Sequence, residues 1–228
     1  FAKELGEHYT VILPDQRNHG RSPHAEEMSY PIMAEDLREF LQDQWIFKAH
    51  IMGHSMGGKT AMQFALDHPD MARSLISVDM GAGKYERKHD FVFKALQAVP
   101  IEEVSERSEV REVLEQHLEE RSVILFLMKN LKRNKSGGYE WKMNLPVLYR
   151  EYENILAGVT GKHSYKGPAL FVHGDRSDYV QEDDAEEIKR LFPGAKLLEI
   201  ENSGHWVHAE QHEALLQTVR QFLTEAEK

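Results

Sequence analysis

Short apolar runs alternate with amphipathic stretches over most of this chain, and the two patterns predict different elements. A short apolar run predicts a buried strand, whereas apolar residues at the spacing of a helical turn predict a helix. The predicted elements are strands at 9–13, 49–52, 75–78, 169–172 and 195–200, helices at 32–42, 58–67 and 184–192, and a closing helix. Strands that alternate with helices build a parallel sheet covered by helices, so the sequence predicts an α/β fold.

The alternation is interrupted between residues 84 and 165, where charged residues and helix formers dominate. The predicted elements of this stretch are helices at 90–98, 108–120, 122–131 and 145–156, with a turn at 136–138. We therefore predict a core formed by residues 1–83 and 166–228 and a helical insertion at 84–165.

Residues 53–60 read Gly-His-Ser-Met-Gly-Gly-Lys-Thr and satisfy two unrelated catalytic patterns. As Gly-x-Ser-x-Gly they form a nucleophile elbow, which exposes Ser55 on a strained turn between a strand and a helix. As Gly-x-x-x-x-Gly-Lys-Thr they form a P-loop, in which Lys59 would bind the phosphates of a nucleotide. Both patterns need a strand before the motif and a helix after it. The apolar run that ends in Asp79 also resembles the Walker-B strand of an NTPase, so local structure does not separate the two patterns and the choice depends on the rest of the chain.

A histidine near the C-terminus favours the elbow. His205 lies in a Gly-His-Trp turn between the strand predicted at 195–200 and the closing helix. The carboxyl ends of parallel strands share one edge of a sheet, so His205 is expected at the same edge as Ser55. A serine hydroxyl needs an imidazole base oriented by a carboxylate, whereas an NTPase has no use for this histidine. The sequence therefore favours a serine nucleophile over a P-loop NTPase.

Composition narrows the possible functions further. A chain of 228 residues with 41% hydrophobic residues can form one substantial core and a small inserted subdomain. Its net charge of −10 disfavours a nucleic-acid partner, which would need a basic surface. The absence of cysteine excludes thiolate chemistry and suits a reducing, cytoplasmic location. The apolar run at 123–128 is far shorter than the about 20 residues that cross a bilayer, so we expect no membrane span.

Four motifs together resemble the alpha/beta-hydrolase superfamily. They are the Asp-Gln-Arg-Asn-His-Gly-Arg-Ser loop at 15–22, the elbow at 53–58, Asp79, and Gly-His-Trp-Val-His at 204–208. Within the superfamily, the chain is most similar to bacterial acyl esterases with an Asn-His-Gly-x-Ser loop and a Gly-His-Ser-Met-Gly-Gly-Lys elbow. The resemblance implies a mostly parallel sheet flanked by helices, with the insertion as a helical lid. It also implies hydrolysis of a small-molecule acyl ester or thioester without a cofactor.

The triad acid has three candidates. Many relatives carry it in a Gly-x-x-Asp loop, and the corresponding position here is Ser177, with Asp175 and Asp178 on either side. Some relatives place it at the end of the strand after the nucleophile helix, which here gives Asp79. Because the usual position is vacant, this part of the resemblance favours Asp79, and Asp175 and Asp178 could instead only cap their turn, as aspartates in loops often do. Asp175 and Asp178 stay open as alternatives.

In the mechanism that the resemblance implies, Ser55 attacks the acyl carbonyl, His205 transfers the proton, and the amide of Met56 supplies one oxyanion donor. The second donor comes, in the family resembled, from a loop upstream of the segment that corresponds to Phe1. We therefore expect this chain to be the N-terminally incomplete form of a longer enzyme, weakly active or inactive by itself. Losing one oxyanion donor costs on the order of a hundredfold to a thousandfold in turnover.

An acyl chain needs an apolar wall that excludes water. The expected substrate-binding residues are Phe91, Phe126 and Trp141 in the insertion and Trp206 beside the catalytic histidine. Alternatively, the insertion is a packed appendage without a binding role.

Other interpretations of the same residues are weaker. His205, His208 and His212 have spacings that could suit a metal, but ligation needs further ligands and an oriented second shell, so we expect no metal site. His54 and His19 are expected to be structural. A non-catalytic binding protein of the same fold is the main functional alternative, but it would not need Ser55, His205 and an acid together.

Overall fold

The computed structural model describes the backbone of all 228 residues and all side chains except those of Glu182 and Asp183. The strands are β1 (Ala49–His54), β2 (Ala72–Val78), β3 (Leu131–Arg133), β4 (Tyr139–Trp141), β5 (Ala169–Gly174) and β6 (Ala195–Ile200). The α-helices are α1 (Ala2–Leu5), α2 (Tyr30–Asp43), α3 (Met56–Asp67), α4 (Asp90–Ala98), α5 (Arg107–His117), α6 (Arg121–Leu127), α7 (Leu145–Arg150), α8 (Tyr152–Leu156), α9 (Glu182–Leu191), α10 (Val207–Glu210) and α11 (His212–Ala226). A short 3-10 helix, Met128–Asn130, follows α6.

The chain divides into two compact units. Unit 1 comprises Phe1–Leu13, Ser29–Tyr85 and Ala157–Lys228, and unit 2 comprises Pro14–Met28 and Glu86–Leu156. No helix among the residues described combines the length and apolar character that crossing a bilayer requires.

Unit 1 contains a parallel four-stranded sheet in the order β1-β2-β5-β6. Its register pairs His54 with Val78 and Val78 with Val172, so these strands end level with one another. The residues that follow the strands therefore emerge at one edge of the sheet, where parallel α/β proteins place their functional loops.

Alternation along the central strands explains why both faces of the sheet are covered. Leu75 and Phe171 pack in a core with residues of α2, α3 and α9. Ile76 and Val172 point to the opposite face and pack against α11. Successive side chains of a strand face opposite sides, so a strand buried on both sides is mostly apolar rather than alternating. This is the pattern that predicted β2 and β5.

The strand predicted at 9–13 is wrong. These residues belong to no strand, and Val11, Ile12 and Leu13 are 36%, 41% and 77% exposed. An apolar run forms a strand only where a neighbouring strand can hydrogen-bond to its backbone. The sheet described here begins at β1 and offers residues 9–13 no such partner.

Unit 2 is mostly helical but also contains an antiparallel hairpin of β3 and β4 that the sequence pattern missed. The helix predicted at 122–131 therefore ends early, with α6 and the 3-10 turn. The helix predicted at 145–156 is divided into α7 and α8. Three-residue strands are too short to show a period of alternation, so only the turn at 136–138 marked the hairpin.

A buried asparagine joins the two sequence segments of unit 2. Asn18 is fully buried, and its side-chain oxygen accepts hydrogen bonds from the Ala25 amide at 2.8 Å and from Asn144 Nδ2 at 3.1 Å. The Asn144 amide also donates to the Asn18 carbonyl at 2.9 Å. The segment Pro14–Met28 is thus attached to the start of α7.

Candidate active site

Ser55 lies in a sharp turn between β1 and α3. Its backbone has φ 54° and ψ −126°, in the left-handed half of the map that a residue with a side chain rarely adopts. Its amide donates to the Val78 carbonyl at 3.1 Å, and its carbonyl accepts from the Gly58 amide at 2.8 Å. Strained residues of this kind persist where the surrounding structure fixes them, and they concentrate at functional sites.

The glycines of the elbow are required by close approach. A Cβ on Gly53 would lie 2.0 Å from the Gly57 carbonyl oxygen, so the end of β1 and the start of α3 touch backbone to backbone. A Cβ on Gly58 would lie 2.9 Å from Ser77 Oγ. The turn itself therefore explains the glycines at positions 53 and 58.

Asp79 directly follows β2, is fully buried, and also has a positive φ, 50°. Its Oδ2 accepts hydrogen bonds from His205 Nδ1 at 2.7 Å and from Ser177 Oγ at 2.5 Å. Its Oδ1 accepts from the Gly174 amide at 3.0 Å. Burial acts to raise the pKa of this carboxyl, but the bonds from His205, Ser177 and Gly174 outweigh it and hold the pKa below its ordinary value. The group is therefore a carboxylate at neutral pH.

Of the three acids considered, only Asp79 contacts His205 in the part of the chain whose side chains are described. Asp175 instead accepts from the Ser203 amide at 2.9 Å, and hydrogen bonds from the backbone at Asn202 and Ser203 lower the pKa of this carboxyl. It caps the turn between β6 and α10. Ser177, which occupies the position where many relatives have their acid, donates its hydroxyl to Asp79.

His205 is surrounded by aromatic rings. Its imidazole stacks on the ring of Tyr179, with centroids 4.1 Å apart and an interplanar angle of 25°. The rings of His54 and Trp206 lie 4.6 Å and 5.5 Å away, and that of His208 lies 4.9 Å from His54. Because His54 directly precedes Ser55, this contact places His205 beside the elbow.

His54 also bonds the backbone of the His205 loop, with Nε2 2.7 Å from the His205 carbonyl oxygen. Burial, followed by the charges of His205 and His208, lowers the pKa of His54 to about 4. His54 is therefore neutral near pH 7, and its Nε2 must carry the hydrogen that the carbonyl accepts.

Met56 is the first residue of α3. An α-helix leaves the amides of its first turn without an intrahelical acceptor, and the helix dipole favours negative charge there. This position suits the oxyanion donor that the sequence predicts.

Lys59, the lysine that would bind phosphates in a P-loop, lies inside the protein. Lys59 is fully buried, and its Nζ donates to the carbonyls of Gly83 at 2.6 Å and Ala157 at 2.5 Å. The same Nζ lies 4.4 Å and 5.6 Å from the ring centroids of Tyr85 and Tyr30. An ammonium group bonded to two backbone carbonyls inside the protein is not available to the phosphates of a nucleotide, which argues against a P-loop.

Two of the three histidines that could have formed a metal site, His205 and His212, have separate carboxylate partners. His205 bonds Asp79, and His212 Nε2 lies 2.6 Å from Glu4 Oε2. The cluster with possible metal-ligand geometry found among the described side chains is Glu4, His212 and Glu213, which does not include His205.

The predicted acyl-binding residues lie in both units. Phe91 and Phe126 belong to unit 2 and are 52% and 43% exposed, and Trp141 is the last residue of β4 in the same unit. Trp206, in unit 1, has its ring 5.7 Å from that of His54. Their role in substrate binding stays a prediction.

A family profile described as the alpha/beta hydrolase fold matches residues 1–211, and the chain belongs to that family. Among curated proteins, Esterase YbfF of Escherichia coli (strain K12) is 37% identical over 226 residues, which are 99% of this chain and 87% of that protein. The sn-1-specific diacylglycerol lipase ABHD11 of Mus musculus is 36% identical over 219 residues, 93% of this chain and 71% of that protein. A solved structure called a marine microorganism esterase has a TM-score of 0.94 at 42% identity and covers 97% of this chain and 87% of its own.

Proposed function

We propose that this protein is a serine hydrolase that cleaves carboxylic esters or thioesters of acyl chains through an acyl-enzyme on Ser55. The observation that carries the proposal is the hydrogen bond of 2.7 Å between His205 Nδ1 and the buried Asp79 carboxylate, beside the strained elbow of Ser55. Relatives over nearly the full chain are esterases, and this chain is a carboxylic ester hydrolase of their family.

In the proposed mechanism, Ser55 Oγ attacks the acyl carbonyl carbon while His205 Nε2 takes the hydroxyl proton. Asp79 accepts the hydrogen on Nδ1, which leaves the lone pair on Nε2 and stabilises the imidazolium that forms. The C–O or C–S bond then breaks, and His205 gives its proton to the departing alcohol or thiol. His205 then takes a proton from a water molecule, which attacks the acyl-enzyme in the same way, and the carboxylic acid is released as Ser55 regains its proton.

The carbonyl oxygen becomes negative in both tetrahedral intermediates. The Met56 amide at the start of α3 is proposed to donate to it, since backbone donors fixed before the reaction stabilise such charge without reorganising. Esters and thioesters present the same planar acyl carbon to Ser55, so the proposal covers both. All proton transfers use side chains of this chain and water, so the scheme needs no cofactor.

A non-catalytic binding protein is disfavoured by the same geometry. Such a protein would not need the strain at Ser55 or a buried carboxylate bonded to His205. The expected absence of a nucleic-acid partner and the expected cytoplasmic location rest on composition alone and stay predictions.

Labelling with a fluorophosphonate probe tests the proposal, because the probe reacts with an activated serine. The wild-type chain should be labelled and should hydrolyse p-nitrophenyl acyl esters at least weakly, and Ser55→Ala and His205→Ala should abolish both the labelling and the hydrolysis. Ser105→Ala is the matched control, because Ser105 is an exposed serine of unit 2. Labelling that persists in Ser55→Ala would contradict the assignment.

A further inference from the structure

Tyr179 makes the closest ring contact with His205 among those described. Its ring is nearly parallel to the imidazole at a centroid distance of 4.1 Å, whereas the rings of His54 and Trp206 are tilted by 39° and 63° and lie farther away. Tyr179 belongs to the loop between β5 and α9, and it is partly buried. It thus covers one face of the imidazole while Asp79 bonds an edge.

The backbone of Tyr179 is held on both sides. The Tyr85 hydroxyl donates to the Tyr179 carbonyl at 2.5 Å, and the Gly81 amide donates to the same carbonyl at 3.2 Å. The Tyr179 amide donates at 3.3 Å to the hydroxyl of Ser177, which in turn bonds Asp79. The ring over His205 and the carboxylate beside it are therefore positioned by one connected set of hydrogen bonds.

Tyr85 is itself held by contacts with Lys59 and Gly81. Its ring lies 4.4 Å from the buried ammonium of Lys59, and the Gly81 amide donates to its hydroxyl at 2.8 Å. Burial raises the pKa of Tyr85 well above its ordinary value, so its hydroxyl keeps its proton and stays a donor to Tyr179 across the working pH range.

A stacked aromatic ring acts differently on the two forms of His205. The face of an aromatic ring carries negative charge density, which attracts a cation within about 6 Å of the centroid and adds little for a neutral ring. The charged and titratable groups around His205 are the Asp79 carboxylate, the neutral His54, the His208 ring beyond it, and the phenol of Tyr179. Of these, Asp79 and Tyr179 favour the imidazolium.

We propose that Tyr179 is a positioning residue for the hydrolytic reaction, whose ring fixes the plane of the His205 imidazole and stabilises the imidazolium formed when Ser55 loses its proton. This inference rests on the proposed function, since it assigns His205 the role of the base.

The first experiment measures kcat and KM for a p-nitrophenyl ester in the full chain, with Tyr179→Phe and Tyr179→Leu. Tyr179→Phe keeps the ring and should stay within about twofold of wild type, and Tyr179→Leu should lower kcat roughly 3-fold to 30-fold, with KM within about twofold. With the imidazolium less stable, the acidic limb of the pH profile of kcat/KM should move down by roughly 0.5 to 1 pH in Tyr179→Leu. A loss in Tyr179→Leu that appears only in KM, or a loss with an unmoved acidic limb, would show a packing role and overturn the inference.

A second comparison does not depend on how Tyr179→Leu folds. Tyr179→pentafluorophenylalanine keeps the shape of Tyr179→Phe but reverses the charge distribution of the ring face. If the ring acts electrostatically, the fluorinated variant should have a kcat roughly 3-fold to 30-fold below that of Tyr179→Phe, at the same melting temperature. Equal kcat values for the two ring variants would refute the electrostatic role.

The wild-type chain separates this inference from the function it rests on. If wild type is neither labelled by fluorophosphonate nor active on esters, the proposed function fails and the inference falls with it. If wild type is labelled at Ser55 and the Tyr179 variants behave like wild type, only the inference fails.

Discussion

At the residue scale, three donors converge on the Asp79 carboxylate: His205 Nδ1, the Ser177 hydroxyl and the Gly174 amide. The bonds differ in what they do. The bond from His205 selects the tautomer of the proposed base, the other two fix the position of the carboxylate, and all three keep it ionised.

This difference predicts a graded loss of activity. Asp79→Asn is nearly isosteric but can donate to Nδ1 and so stabilise the wrong tautomer, and we expect kcat to fall on the order of ten thousandfold. Ser177→Ala removes one supporting hydrogen bond and leaves the tautomer intact. The kcat should therefore fall only about threefold to tenfold, which corresponds to an activation free energy higher by about 0.7 to 1.4 kcal/mol. Steady-state kinetics of the two variants check the order, and an equal loss in both would contradict it.

The pH dependence of folding stability gives an independent check on Ser177. The pKa of Asp79 is lowered in the folded protein, so the stability it contributes is present above the ordinary aspartate pKa and is lost as pH falls through the folded value. Ser177→Ala removes one of the bonds that lower this pKa. Its deficit in unfolding free energy, about 1 to 2 kcal/mol at neutral pH, should therefore shrink in acid below about pH 4. Ser136→Ala, in an exposed turn of unit 2, is the control.

At the element scale, Lys59 connects α3 to two segments that are far apart in sequence. Gly83 follows β2 near the point where the chain leaves unit 1, and Ala157 is the residue at which it returns. Burial lowers the pKa of Lys59 to about 7, against the opposing charges of Asp184 and Glu187. The helix that carries the elbow is thus bonded to both ends of the break in unit 1.

Lys59→Met keeps the approximate size of the side chain but removes the donor to the carbonyls of the partly buried Gly83 and Ala157, so we expect a loss of about 1 to 3 kcal/mol in unfolding free energy. The sign of its pH dependence is specific. Between the folded pKa, about 7, and the ordinary lysine pKa, about 10.4, the unfolded chain holds a proton that the folded chain lacks, so wild type gains stability with rising pH. Urea unfolding should show the gap between wild type and Lys59→Met widening over this window. The exposed Lys94→Met is the control, and a gap that stays constant with pH would contradict the explanation.

The sequence predicted these elements unevenly, for physical reasons. The strands β2 and β5 are mostly apolar because both of their faces are buried, so their pattern was strong. Residues 9–13 have the same kind of pattern but no strand partner in the described sheet, and partners are not encoded in a local pattern. The positions of Ser55 and His205 followed from motifs, whereas Tyr179 and the buried Lys59 act through contacts between distant loops that leave no periodic signal.

At the scale of the whole molecule, the two units differ in how the chain builds them. Unit 2 is formed by one segment that precedes α2 and another that follows β2, so it can pack only after these two distant segments come together. Asn18 joins the two segments, because its side chain accepts hydrogen bonds from Ala25 and Asn144 and its backbone carbonyl accepts one from the Asn144 amide. Its backbone is also in the left-handed region, with φ 63°, where asparagine is tolerated better than most residues.

Asn18→Ala should therefore destabilise unit 2 more than one lost side-chain contact would suggest. The substitution removes the acceptor of two hydrogen bonds and places an alanine at a positive φ. We expect a loss of about 2 to 4 kcal/mol in the unfolding free energy of unit 2. Trp141 is the only tryptophan of unit 2, since Trp45 and Trp206 belong to unit 1. With those two replaced by Phe, Trp141 fluorescence reports unit 2 alone during urea unfolding, and its midpoint should fall in Asn18→Ala. Asn154→Ala, at an exposed position of the same unit, should leave the midpoint in place. An equal shift in the two variants would show that the Asn18 contacts add nothing specific to the closure of unit 2.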